Sequence, residues 1–362
     1  YLMRALQSGR LPLAETAVRH IDLCLGCRAC EAACPSGVQY GELLATTRAH
    51  IETRYRRSLF QRLLRRVAIG GVFPFPQRTR IALALGRRVP RWLAPGSLRG
   101  ALGLLPEKAA AARLPEFSPA ATDPKRGRVG LITGCVQSVL FSDTNAATVR
   151  LLNRAGYDVV IPRTQGCCGA LDAHSGNRDR ARAFARANLA AFAGLEVEAI
   201  IINAAGCGST LKEYGLLLGD DRAGQFAAKV KDLSEFLVDK WAIRRPSAAS
   251  RVTYHDACHL AHAQRITKQP RELVRAVAGE NYVELPEADV CCGSAGSYNL
   301  TEPVMAHRLQ QRKIQNILGT GAEIVVTTNP GCILQLRAGL KAAGADHVRV
   351  VHLADWLDEA GR

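Results

Sequence analysis

The chain has 362 residues, 48% of them hydrophobic and 22% charged, which suits two or three globular domains and excludes a wholly disordered or collagen-like protein. Its charge-free runs, such as Val67–Gln77, fall short of the roughly 20 apolar residues a spanning helix needs. Two features stand out against this ordinary background: a net charge of +16 and twelve cysteines.

The chain opens with YLMRALQSGR, which has neither an initiator Met nor an apolar h-region. It reads as the start of a trimmed chain rather than as a secretory signal. Cysteines without an export signal are kept reduced, so their spacing points to metal or redox chemistry and to a cytoplasmic protein.

Residues 24–35 read CLGCRACEAACP, placing Cys24, Cys27, Cys30 and Cys34 in the C-x2-C-x2-C-x3-C-P run of bacterial-type ferredoxins. Three cysteines two residues apart wrap a tight loop around one corner of an iron–sulfur cube. Soft thiolates suit iron, whereas zinc favours two separated pairs. A [4Fe-4S] cluster is therefore expected here. In two-cluster ferredoxins the fourth Cys of a run ligates the other cluster. On that pattern Cys34 serves a second cube whose partner run precedes Tyr1; otherwise Cys34 closes the first cube locally. Residues 1–50 thus read as the second half of a two-cluster ferredoxin-type domain.

Residues 51–126 read as a basic helical linker. No acidic residue lies between Glu52 and Glu107, and the same stretch holds twelve arginines, from Arg54 to Arg99. The expectation is short amphipathic helices broken at Gly70-Gly71, Pro74, Pro76, Pro90 and Pro95, with Leu59, Leu63 and Val67 on one face. Such a face suits an anionic membrane surface or an acidic partner; a solvated linker is the plain alternative. No helix-turn-helix, zinc-finger or RNP pattern accompanies it, so no nucleic acid is expected.

The other eight cysteines form a repeat. Cys135, Cys167-Cys168-Gly169 and Cys207 match Cys258, Cys291-Cys292-Gly293 and Cys332 at offsets of 123 to 125 residues. RVGLITGC parallels RVTYHDAC, AIIINAAGC parallels IVVTTNPGC, and DLSEFLVD parallels HLADWLDE. The pattern predicts two homologous α/β domains, at 127–245 and 246–362. Strands are expected near 129–133, 158–161 and 199–203, then near 251–255, 282–285, 324–328 and 348–351, with helices at Arg178–Phe192 and Glu302–Leu318. Every cysteine then falls in a loop beside a strand end, where open α/β sheets bind ligands. Two vicinal thiolates, a Gly and two further cysteines suit an iron–sulfur cluster or a zinc ion. His255 and His259 flank Cys258, and His174 follows the first CCG; each reads first as a satisfied polar residue.

This layout resembles the iron–sulfur subunit of glycolate oxidase (glycolate dehydrogenase), closely so at CLGCRACEAACPSGVQY, LITGCVQSVLF, GCCGALDAHSG and CCGSAGSYNL. The resemblance implies an electron-transfer subunit working with FAD-containing subunits that oxidise glycolate to glyoxylate. It passes electrons to quinone at the inner face of the cytoplasmic membrane, where the complex is peripherally associated. CCG repeats also occur in heterodisulfide reductase, anaerobic glycerol-3-phosphate dehydrogenase and lactate-utilisation proteins, so a CCG-type reductase is the alternative. The heterodisulfide type ends each repeat in C-x-x-C; here Thr210 and Gln335 stand at those places, leaving four thiols per repeat.

Overall fold

The computed structural model describes residues 1–88, 112–241 and 249–361. Arg91, Arg99, Pro90 and Pro95 lie outside them.

The first repeat is a five-stranded sheet in the order β1-β3-β2-β4-β5. Its strands are β1 (Phe117–Ser118), β2 (Gly127–Leu131), β3 (Tyr157–Val160), β4 (Ala199–Ile202) and β5 (Val230–Asp232). All neighbours are parallel except β1 with β3. The second repeat is a parallel sheet, β6 (Val252–Tyr254), β7 (Ile324–Thr327) and β8 (Arg349–His352). Fully buried runs such as Ala199–Ile202 are what strands covered on both faces require.

The strand expected at 282–285 does not form. A single parallel bridge joins Val252 to Tyr282, with Val283 N–H donating to the Val252 carbonyl at 2.8 Å. The tight turn Gly279–Asn281 ends just before it, and Pro286, which has no N–H, follows three residues after Val283. Too little chain remains for a ladder. The helices at Arg178–Phe192 and Pro303–Gly319 lie where expected.

The two repeats share one core. It runs from Val129, Leu151 and Leu237 of the first repeat to Val252, Val274 and Trp356 of the second. Helix Ser142–Arg154 packs on the terminal helix Leu353–Ala360 of the other repeat, and helix Lys268–Ala278 packs on Leu233–Leu237 in return. This reciprocal contact is the mark of an isologous pairing. Each large side chain buried there contributes about 1.5–3 kcal/mol.

The N-terminal helices Leu2–Gln7, Glu15–Asp22 and Tyr40–Arg54 enclose a small core of Leu6, Val18, Ile21, Leu44 and Ile51. Helix Tyr40–Arg54 rests on the first repeat at Gly176, where an added Cβ would lie 2.6 Å from the Arg48 carbonyl oxygen. Arg178 pairs with Glu42 at 2.7 Å, and Arg28 pairs with Glu213.

The basic segment departs from expectation in two ways. Gly70-Gly71 breaks nothing: helix Leu59–Leu64 continues as a π-helical stretch, Arg65–Val72, and ends before Pro74. Pro76 then opens the helix Pro76–Gly86 rather than ending one. Nor is all of its charge outward. Arg57 is buried, 2.5 Å from Asp22 and 2.7 Å from Glu52, and Arg65 reaches the same Glu52 at 3.3 Å. Arg54, Arg56, Arg62, Arg66, Arg78, Arg80, Arg87 and Arg88 remain exposed, beside exposed Leu59, Leu63, Val67, Ile81 and Leu85.

Candidate metal centres

The first CCG site lies beyond the carboxyl ends of β2, β3 and β4. Cys135 follows β2, the Cys167-Cys168 pair follows β3, and Cys207 sits in the first turn of helix Ala205–Lys212. That last placement differs from the loop expected for every cysteine, and Cys332 repeats it in helix Pro330–Ala342. Both sulfurs are still carried just past a strand end. The Cys135 and Cys167 sulfurs are 3.4 Å apart. Cys168 adjoins Cys167 in sequence, and the Cys167 and Cys207 sulfurs lie near enough to Cys168 to shift its pKa. The second site repeats the chain of neighbours from Cys258 to Cys291, Cys292 and Cys332. All of these except Cys207 are buried.

The glycine of each CCG is required twice over. Gly169 and Gly293 have φ of +82° and +87°, a conformation that costs a side-chain-bearing residue about 1–2 kcal/mol. A Cβ would also stand 3.1 Å from the Ala181 carbonyl oxygen at the first and 2.3 Å from that of Ala306 at the second. The turn aims each glycine N–H at the first sulfur of its pair, 3.4 Å from Cys167 and 3.4 Å from Cys291. Such N–H···S bonds are among the features that set cluster potentials.

The neighbouring Cys167 sulfur and burial raise the Cys135 thiol well above an ordinary one, and the neighbouring Cys291 sulfur and burial do the same to Cys258. A bound metal reverses this by stabilising thiolate directly. Eight thiols in two convergent sets, seven of them buried, fit a thiophilic metal group.

The N-terminal loop is more open. Cys24, Cys27 and Cys34 are partly buried and Cys30 is exposed. Gly26 and Arg28 take left-handed conformations, at φ +66° and +65°, and Gly26 N–H reaches the Cys24 sulfur at 3.4 Å. Cys27 faces Cys24 and Cys30, whereas Cys34 is directed to the backbone N–H groups of Val38, Ser36 and Gly37, which lower its pKa. Arg48 fixes the loop by donating to the Cys24 carbonyl at 2.6 Å and to the His174 carbonyl at 3.0 Å.

This loop docks on the second CCG site. The helical turn Ala29–Ala32 rests on His259–Ala263, Tyr298 O–H donates to the Leu23 carbonyl at 2.9 Å, and Cys27 lies close enough to Cys258 for a thiolate on one to raise the pKa of the other. His259 Nδ1 is 3.5 Å from the Cys258 sulfur, and its ring stacks on His174 of the first repeat with centroids 5.0 Å apart.

His255 overturns the reading of a satisfied polar residue. It is completely buried, and neither ring nitrogen has a hydrogen-bond partner. The sequence signal was available: His255 aligns with Ile132 of the other repeat, a substitution no packing argument predicts.

Thiol sets at the strand ends of duplicated α/β units, beside a ferredoxin-type loop, are the donor arrangement of an iron–sulfur oxidoreductase component. The Cysteine-rich domain family matches residues 129–212 and 252–337. Over 99% of this chain and 86% of theirs, it is 40% identical to the "Probable glycolate oxidase iron-sulfur subunit" of Bacillus subtilis and 34% identical to the glycolate oxidase iron–sulfur subunit of Escherichia coli. Lactate utilization protein A of Oceanobacillus iheyensis is 30% identical over 64% of this chain and 96% of its own. The chain belongs to the glycolate oxidase iron–sulfur subunit family.

Proposed function

We propose that this chain carries electrons from a flavin-bearing glycolate oxidase subunit to quinone. The observation that carries the reading is the docking of the Cys24–Cys30 loop on the Cys258 site, which brings Cys27 near enough to Cys258 for the two to interact electrostatically. Iron–sulfur clusters, when bound, supply one-electron steps. Cys24, Cys27 and Cys30 hold a [4Fe-4S] cluster, and Cys34, turned toward its own backbone turn, serves a second one. Cys135, Cys167, Cys168 and Cys207 hold one further centre, and Cys258, Cys291, Cys292 and Cys332 another. Arg48 and Tyr298 keep the loop seated on the second repeat. The units behind this arrangement are the ferredoxin-type segment 1–50, the linker 51–126 and the CCG domains 127–245 and 246–362.

Substrate oxidation belongs to the partner, and the exposed arginines with Leu59, Leu63 and Val67 seat the complex peripherally on anionic lipid. Among the described residues no helix is long and apolar enough to cross a membrane, so attachment through this basic, apolar face is the fitting mode. The test is Cys24→Ser in the assembled complex. Iron and sulfide should fall by one cluster and quinone reduction should stop, while glycolate still reduces the flavin. Unchanged iron content with intact quinone reduction would overturn the reading. Cys34→Ser should affect a different cluster from Cys24→Ser; a shared loss would show that Cys34 closes the same cube.

A further inference from the structure

The two CCG sites differ at two buried positions. At the first, the residue three before Cys135 is Ile132, packed in an apolar core with Cys168 and Ile200. At the second, the residue three before Cys258 is His255. Its ring nitrogen and the sulfurs of Cys292 and Cys332 all lie within 4.8 Å of one another. The Ala288 carbonyl lies nearby but already accepts from Asp256 N–H at 3.2 Å. The second difference is on the helix covering each site. Asn188 of the first repeat accepts from Gly166 N–H at 2.9 Å and donates to the Cys167 carbonyl at 2.9 Å. Its counterpart is Lys313, also buried, which donates to the carbonyls of Glu287 and Ala288.

A buried imidazole short of good hydrogen bonds is costly. The Ala288 backbone beside the ring offsets this only in part, whereas a metal beside Cys292 and Cys332 would use the ring as a donor, since imidazole is a common metal ligand. Resting on the reading that the CCG sites bind metal, we propose that His255 is a donor to the second centre. That centre is then a mixed thiolate–imidazole site, while the first is thiolate only. A neutral imidazole added beside the thiolates changes the ligand set and hydrogen bonding that fix a cluster's potential. The second centre, the one the ferredoxin loop touches, therefore differs in potential from the first.

The experiment uses anaerobically purified full-length protein carrying ¹⁵N-labelled histidine. Cys291→Ser and Cys167→Ser assign the signals of the second and first sites by their loss. Pulsed EPR of the second-site signal should show a nitrogen coupling that changes with the label and disappears in His255→Ile, the residue the first repeat uses. The first-site signal should show none. His255→Cys should keep the centre and lower its midpoint potential. If the centre is EPR-silent iron, ⁵⁷Fe Mössbauer spectra should lose one iron environment in His255→Ile. If it is zinc, its X-ray absorption should lose one nitrogen neighbour. Metal that depends on Cys291 but is indifferent to the label and to His255→Ile overturns the inference alone. Metal content that Cys291→Ser does not change overturns both the inference and the CCG assignment beneath it.

Discussion

Replacing Gly293 by Ala separates the conformational demand of the CCG turn from its steric one. Three glycines of similar φ form a series: Gly344 at +68°, Gly169 at +82° and Gly293 at +87°. Around Gly344 nothing lies within 4 Å of an added Cβ, so Gly344→Ala tests backbone strain alone, about 1–2 kcal/mol. At Gly169 the Cβ meets the Ala181 backbone at 3.1 Å, a contact a few tenths of an ångström relieves. At Gly293 it meets the Ala306 carbonyl at 2.3 Å, and relief requires moving the helix Pro303–Gly319 that carries Lys313 and Gln310 over the site. Overpacking of that kind adds about 1–3 kcal/mol, so Gly293→Ala should cost about 2–5 kcal/mol in all. Anaerobic urea unfolding followed by circular dichroism, with metal content measured on the same samples, gives the ranking. The expected order of destabilisation is Gly293, then Gly169, then Gly344, with metal lost first from the Gly293 variant. Equal costs at Gly293 and Gly344 would refute the steric half of the reasoning.

Other outcomes follow from the buried polar groups and the basic face. Arg57→Ala leaves Asp22 and Glu52 with only the looser pairing to Arg65, and losing the buried partner should cost about 3 kcal/mol; a midpoint of urea unfolding unmoved from wild type would contradict the network. His352 accepts from Ala354 N–H at Nδ1 and donates from Nε2 to the Asn203 carbonyl at 2.7 Å, and burial lowers its pKa to about 4. A depressed folded value means stability present above the unfolded pKa of about 6.5 and lost as pH falls toward 4, about 3 kcal/mol. His352→Asn, which can still cap and donate, should lose less stability than wild type between pH 7 and pH 4. The quadruple change of Arg62, Arg66, Arg80 and Arg88 to Gln should weaken co-sedimentation with anionic liposomes by about 1 kcal/mol per residue. The wild-type interaction should fade as salt shortens the Debye length, and binding indifferent to both would make the segment a solvated linker.

How much of this was legible in the sequence depends on range. Cysteine spacing is a pattern of the sequence itself, so all three thiol sets and the duplication could be read directly, whereas the left-handed turn of each CCG glycine comes from the structure. Strand β5 was missed because Val230–Asp232 reads as charged, although its partner in the repeat, at 349–352, was found; comparing the repeats more strictly would have supplied it. The strand at 282–285 was over-read because apolar alternation says nothing of how little room a turn and a proline leave. The neutralisation of Arg57 by Asp22 joins residues 35 apart, and no pattern of the arginine run itself could show it. The orphaned nitrogens of His255 depend on what fails to surround the ring, which only coordinates reveal.

The duplication also explains why the two sites need not be alike. Two copies joined through a shared core offer the same surface twice, but the chain has one Cys24–Cys30 loop among the described residues, and it can lie against one Cys-rich face. It lies against Cys258. From that point the copies face different surroundings: the second is covered by Leu23, Ala29 and Cys27, whereas the first turns His174 and Glu213 toward Arg48 and Arg28. A buried charge or a change of ligand is tolerated only where the neighbouring groups compensate it. His255 and Lys313 are both found in the copy whose cysteine face carries the loop's helical turn, and their counterparts Ile132 and Asn188 in the copy that meets the N-terminal segment through Glu213 and His174 instead. The divergence of the two site linings follows the asymmetry of docking.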